Sequence, residues 1–129
     1  MAMRYVGIDY GARRIGVARS DADGTIAFPL RTIEYRARAG AIAELKEICD
    51  AEIGMAVIGL PIGLDGKDTD ETREVRQFAT ELAHAIAIPL YFENEMLTSR
   101  MAHDAGMRGS NIDASSAAII LQSYLDKKR

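Results

Sequence analysis

The opening of the chain contains the stretch that decides its fold, MRYVGIDYGARRIGVARS (residues 3–20). Its two apolar, β-rich segments, 3–9 and 14–20, are separated by the turn sequence Tyr-Gly-Ala at 10–12. A third such segment, 25–34, follows after another short turn. Because short loops join antiparallel neighbours, we expect a three-stranded β-meander in the first third of the chain.

The rest of the chain alternates helical and strand patterns. Apolar residues recur with the 3.6-residue period of a helix that ends near Asp50, and the run MAVIGL (55–60) is typical of a strand covered on both faces. Asp68 and Glu71 have the spacing of a capping box for the next helix. We expect a fifth strand at 88–92 and final helices at 98–107 and 113–127. The order βββαβαβαα predicts one domain over 1–129, a mixed sheet with helices on both faces.

Size and composition limit the classes of function. The 129 residues suffice for one domain with a hydrophobic core. The sequence has no apolar stretch of membrane-spanning length and no basic-then-apolar leader, so we expect a cytoplasmic protein with no membrane partner. A net charge of −3 argues against a strongly basic nucleic-acid binder. It does not exclude a nuclease, since a bound metal ion offsets the carboxylates that hold it. The single cysteine, Cys49, is expected to be a small buried residue.

Three acidic residues lie where an apolar segment meets a break in regular structure: Asp9, Glu95 and Asp113. Asp9 closes the first strand, Glu95 follows the fifth, and Asp113 opens the last helix. Ligands gather at the carboxyl ends of parallel strands, so these carboxylates meet if the first, fourth and fifth strands are parallel. Carboxylates with substrate phosphates suit Mg²⁺ or Mn²⁺. The three acids therefore predict a metal-dependent phosphodiesterase that uses two-metal hydrolysis and no protein nucleophile.

Each acid also has a purely structural interpretation. Asp9 could end a strand before a glycine turn, and Glu95 could be an exposed loop residue. Asp113 could belong to a capping box with Ser110. Two further acids, Glu93 and Asp65, are expected to be solvated or turn residues.

Basic residues beside the first acid are candidates for substrate contact. Arg13 and Arg14 could bind a phosphate next to the metals, although alternation along a strand lets only one of them face the site. The histidines have no zinc-ligand spacing. His84 falls off the apolar stripe of its helix and is expected at the surface, while His103 is a weak candidate for a proton shuttle.

Four motifs together resemble one family. GIDYGARRIGVARSD (7–21), VIGLPIGLDGKDTDETREVRQFATEL (57–82), ENEMLTS (93–99) and IDASSAAIILQSYLD (112–126) are similar, in order, to the YqgF (RuvX-type) family. Its bacterial members are described as Holliday junction resolvases and as pre-16S rRNA nucleases. The resemblance covers nearly the whole chain.

The resemblance implies an RNase H-like α/β fold with strand order 3-2-1-4-5, strand 2 antiparallel, and a divalent-metal nuclease. Asp9, Glu95 and Asp113 match the family's acidic residues. The implied role is 5′-end processing of pre-16S rRNA on ribosome assembly intermediates, by a monomer or weak homodimer. Two departures from the family pattern leave fewer basic residues to contact the substrate. Asn94 and Met96 replace the family's Asp and Arg around the glutamate, and the run RGSNI (108–112) replaces its lysines.

Three other functions compete with this one. Branched DNA could be the substrate, which would predict a two-fold dimer with paired sites. A non-catalytic RNA- or ribosome-binding module could have kept the fold, although a phosphate binder gains nothing from a negative pocket. The pattern from Asp9 to Val17 also looks like the first phosphate loop of actin-like ATPases, but those need two such domains to enclose a nucleotide.

Overall fold

A computed structural model describes residues 3–94 and 110–128. Its five strands and three helices follow the order expected from the sequence up to the fifth strand. They are β1 Arg4–Tyr10, β2 Arg14–Ser20, β3 Ala27–Glu34, α1 Arg38–Cys49, β4 Ile53–Leu60, α2 Asp70–Ala85, β5 Leu90–Asn94 and α3 Ser110–Lys127. The helix expected at 98–107 lies outside the described residues.

The sheet has the strand order β3-β2-β1-β4-β5. β2 is antiparallel to both of its neighbours, whereas β1, β4 and β5 run parallel. The RNase H-like topology expected from the family resemblance is therefore confirmed. The parallel strands place the carboxyl ends of β1 and β5 at the same edge of the sheet.

The helices cover opposite faces of this sheet. α1 and α2 pack over a core that includes Val6, Ile8 and Phe78. α3 packs over a second core that includes Tyr5 and Leu121. Successive side chains of a strand point to opposite faces, so β1 supplies residues to both cores. Helices on both faces were predicted, and the prediction is confirmed.

α3 lies so close to the sheet that glycine is required beneath it. A Cβ atom on Gly7 of β1 would lie 2.7 Å from Leu121 Cβ and 2.9 Å from the Ala117 carbonyl oxygen. No side chain fits at that separation, so the helix rests directly on the strand backbone. This close approach fixes the position of α3 across β1 and β2.

Several predicted boundaries differ from the structure: β3 begins at Ala27 rather than at 25, β4 at Ile53 rather than at 55, and α3 at Ser110 rather than at 113. Two further differences, at the starts of α2 and β5, have visible causes. α2 is capped by Thr69, whose side chain accepts from the Thr72 N–H at 3.2 Å, rather than by Asp68 and Glu71. The Asp68 carboxylate instead pairs with Arg76. β5 begins two residues later than expected because Pro89 has no N–H for the ladder. The Pro89 carbonyl accepts from the Ala56 N–H at 2.9 Å just outside the strand.

No helix among the described residues is long and apolar enough to cross a membrane.

Candidate active site

Asp9 is the penultimate residue of β1 and is half-buried. Tyr5 and Gly7, which precede it at two-residue spacing, pack against α3. Because alternate residues of a strand share a face, Asp9 lies on the face that α3 covers. This places the first acid at the carboxyl end of a central strand, on the side of the last helix.

Gly16 connects Asp9 with Asp113. It is the direct partner of Asp9 across the β1–β2 ladder. A Cβ on Gly16 would lie 1.8 Å from the Asp113 carbonyl oxygen, so the first turn of α3 rests on the backbone at this pair. The register of the hairpin and this contact bring Asp9 and Asp113 to the same end of the sheet, although 104 positions separate them.

The Asp113 carboxylate has an unusual environment. Its Oδ2 atom is buried and has no hydrogen-bond partner among the described residues. Arg14 Nε lies 3.3 Å from Oδ2, which is close enough for an ion pair. The two groups are not aligned as a hydrogen bond. A buried carboxylate oxygen without a hydrogen bond typically costs about 1–3 kcal/mol or more. Carboxylate oxygens are the ligands that hard divalent metal ions prefer, so this oxygen is chemically suited to such an ion.

The third predicted acid, Glu95, lies outside the described residues. β5 ends one residue before it, at Asn94, which pairs with Leu60 at the same edge of the sheet. No group of three or more His, Cys, Asp or Glu side chains among residues 3–94 and 110–128 could hold a metal ion. The described part of the chain thus brings two of the three acids together, and the role of Glu95 stays a prediction.

Basic residues line an open groove of about 860 Å³ beside Asp113. One wall is the turn before β2, with Arg13 and Arg14, and the other is the end of β3 with the residues after it, including Arg36. Of the two sequence candidates, Arg14 makes an ion pair with Asp113, and no ion pair of Arg13 is seen among the described residues. Arg36 was missed because it lies in a polar segment, RAR at 36–38, with no motif to mark it.

The environment of Glu93 differs from the expectation. This residue was expected to be solvated, but it is only 4% exposed. Its Oε2 atom accepts hydrogen bonds from Ser123 at 2.8 Å and from Lys127 at 2.6 Å. These donors lie 30 and 34 positions away in sequence, so no local pattern signals the contact. Glu93 joins β5 to the C-terminal half of α3.

The remaining candidates behave as ordinary structural residues. Asp65 accepts from the Lys67 N–H at 3.0 Å and is a turn residue as expected. His84 is exposed and bonds the Thr80 carbonyl, which confirms its surface position. Cys49 is buried, and burial raises the pKa of its thiol to about 11, so the group stays protonated near neutral pH. His103 lies outside the described residues.

Comparison with known proteins points to one family. The family model described as "RuvX: Holliday junction resolvase" matches residues 3–127. A protein of Maridesulfovibrio salexigens named "Putative pre-16S rRNA nuclease" is 41% identical, over 95% of this chain and 98% of its own. A protein of the same name from Nitratidesulfovibrio vulgaris (strain Miyazaki F) is 43% identical, over 96% and 94%.

Among solved structures, the chain matches one described as "T. thermophilus RuvC in complex with Holliday junction substrate". The TM-score is 0.63, and the match covers 98% of this chain and 95% of the other. At 14% sequence identity, this likeness shows that the two proteins share a fold.

Proposed function

The chain belongs to the RuvX family, and from that membership we propose that it is a divalent-metal-dependent nuclease that matures the 5′ end of pre-16S rRNA. The observation that carries the proposal is Asp113 Oδ2, a buried carboxylate oxygen without a hydrogen bond among the described residues. It lies in the helix turn that rests on Gly16, the ladder partner of Asp9. A protein that only binds phosphate would gain nothing from acids placed there.

Asp9 and Asp113 would hold the Mg²⁺ or Mn²⁺, with Glu95 as the third ligand expected from the sequence. When bound, the metal supplies a Lewis acid that activates water and offsets charge on the phosphodiester. Arg14 orients the Asp113 carboxylate and is itself 43% exposed on its side chain, so its other N–H groups can reach a phosphate. The protein residues thus bind and position the reacting groups, and no side-chain nucleophile is required.

The choice of precursor rRNA rests on the names of the curated relatives. On this proposal the protein works in the cytoplasm on ribosome assembly intermediates, as a monomer or weak homodimer. A second candidate substrate is branched DNA, favoured by the description of the matching family and by the fold shared with the RuvC chain. Junction resolution requires two sites in a symmetric dimer, which makes the oligomeric state a second point of distinction.

The test is cleavage of three labelled substrates, with Mn²⁺ or with EDTA: precursor 16S rRNA, single-stranded DNA and a four-way DNA junction. We expect metal-dependent cleavage of the rRNA precursor by the native protein. Asp9→Asn should abolish it while the melting temperature stays within a degree or two, because Asp9 is a half-buried residue near the end of its strand. Equal cleavage by the variant would remove the catalytic assignment.

Asp65→Asn is the matched control, since it makes the same chemical change in an exposed turn. It should cleave like the native protein. Binding of the precursor without cleavage under any metal condition would favour the non-catalytic RNA-binding module. Preferential cleavage of the junction, together with a stable dimer, would favour the resolvase.

A further inference from the structure

We propose that the groove beside Asp113 binds the nucleic-acid backbone, with Arg36 and Arg13 each contacting a phosphate outside the cleavage site. The inference rests on the proposed function, since it extends the substrate contacts of that same site. It assigns a role to Arg36, which no motif identified. It also predicts the path of the bound strand, from the acids at the end of β1 towards the edge strand β3.

The groove is continuous with the acidic site through Arg14. Arg14 lines the groove and also lies 3.3 Å from Asp113 Oδ2. A phosphate at the acids therefore has Arg14 as its neighbour, and the next phosphates along a strand would enter the groove. Three arginines and one acidic residue, Glu34, line the groove, so its charge is positive overall. Glu34 is the neighbour of Arg14 across the β2–β3 ladder.

Two of the three arginines that line this groove have no carboxylate partner among the described residues, whereas Arg4 and Arg19, which share that property, line a separate pocket. Most arginines elsewhere are neutralised by a carboxylate: Arg31 by Glu44, Arg38 by Glu81, Arg73 by Asp70 and Arg76 by Asp68. Among the described residues, no ion pair involves Arg13 or Arg36, and both are exposed. Unpaired guanidinium groups are available for phosphate, which they bind with their forked N–H donors.

The two walls of the groove are held together by Tyr35. Its hydroxyl donates to the Gly11 carbonyl at 2.6 Å, and its backbone N–H donates to the Arg13 carbonyl at 3.2 Å. Burial and the neighbouring Tyr10 raise the pKa of Tyr35, so the hydroxyl remains a donor throughout the working pH range. Arg13 and Arg36 therefore project from a fixed frame, which reduces the entropy lost when a phosphate is bound.

The test measures binding without catalysis. The full chain carrying Asp9→Asn, in EDTA, is titrated with a fluorescent 12-nucleotide single-stranded RNA over a range of salt concentrations. Each phosphate contact contributes ~0.7 to the slope of log K against log salt for a single strand. Arg36→Gln should make the slope shallower by that amount, so a variant that binds equally at 1 M salt should bind about fivefold more weakly than the protein with Arg36 at 0.1 M. Arg36→Lys should restore most of it.

Arg19→Gln is the matched control, because Arg19 is an exposed arginine of β2 near the opposite end of that strand, without an ion pair among the described residues. It should leave the slope unchanged. With Arg36→Gln, the salt slope for a DNA 12-mer of the same sequence should fall by the same amount as the slope for RNA, since the contact is to phosphate. A loss confined to RNA would indicate a 2′-hydroxyl contact and overturn the proposal.

An unchanged slope with Arg36→Gln, or an equal loss with Arg19→Gln, would also overturn it. Either result would leave the nuclease assignment intact, since that depends on cleavage by the chain with Asp9 in place. Conversely, cleavage by the Asp9→Asn variant in Mn²⁺ would remove the nuclease mechanism without changing the binding slopes.

Discussion

The two ends of α3 differ in how they hold a buried carboxylate oxygen. Near its C-terminus, Glu93 is 4% exposed and accepts from Ser123 and Lys127. Near its N-terminus, Asp113 has a buried oxygen that forms an ion pair with Arg14 but has no hydrogen bond among the described residues. Because desolvating a carboxylate is costly, the first arrangement is what stability selects and the second needs another explanation. Glu93 supports the fold, whereas on the proposed function the open oxygen of Asp113 is available to a ligand.

The largest effect should come from closing the space beneath the first turn of α3. In Gly16→Ala the new Cβ would lie 1.8 Å from the Asp113 carbonyl oxygen, where backbone has to move. Overpacking of this kind costs about 1–3 kcal/mol, and more when the neighbour cannot yield. Urea denaturation should show a lower midpoint, and nuclease activity should fall with it.

Gly40→Ala provides the matched control for that variant. A Cβ on Gly40, in the first turn of α1, meets no atom within 4 Å. There the substitution should raise the free energy of unfolding by about 0.4–1 kcal/mol, since it reduces the entropy of the unfolded chain. Equal stability losses at the two glycines would show that the close approach of α3 is not what Gly16 permits.

The second prediction separates activity from stability at Asp113. Asp113→Asn should reduce cleavage about 100-fold or more, because losing several kcal/mol of metal-based stabilisation corresponds to at least that factor. Its free energy of unfolding should change by less than about 1 kcal/mol, since the charge removed has no hydrogen bond and its ion-pair partner Arg14 is exposed. Native activity combined with lower stability would place Asp113 with Glu93 as a structural residue.

The sequence predicted the framework of this site because its signals are local. The hairpin from β1 to β2 depends on β-rich runs around a glycine turn, and β2 was predicted with the boundaries it has in the structure. Asp9 and Asp113 were identifiable because each stands at an element end. The parallel strands place the end of β1 at the edge where ligands gather, whereas Asp113 reaches that edge through the close contact of α3 with Gly16.

Other features depended on contacts between distant residues. Glu93 looks like any strand-end acid until Ser123 and Lys127 reach it from α3. Arg36 gains a role only when β3 lies beside the turn that carries Arg13. Thr69 caps α2 because the Thr72 hydroxyl also donates a hydrogen bond to the Pro61 carbonyl. This bond holds the start of the helix against the end of β4. Tertiary pairing decided each of these.

The third prediction concerns Glu93, the carboxylate that accepts two hydrogen bonds from α3. Glu93→Gln should lower the free energy of unfolding by about 2 kcal/mol, the range for hydrogen bonds to a charged group. Lys127 can turn to water, since 65% of its side chain is exposed, which limits the loss. With metal saturating, cleavage should fall much less than with Asp113→Asn. Asp126→Asn, an exposed acid beside Lys127, should change stability by less than about 0.5 kcal/mol.

The smallest expected effect is from Ser123→Ala, which removes one of the two donors to Glu93. Because Lys127 still donates at 2.6 Å, the carboxylate stays partnered and the loss should be about 1 kcal/mol. Combined with Glu93→Gln it should cost less than the sum of the two, since both changes weaken or remove the same hydrogen bond. Full additivity in urea denaturation would mean that the 2.8 Å contact contributes nothing, and that burial of Glu93 rests on Lys127 alone.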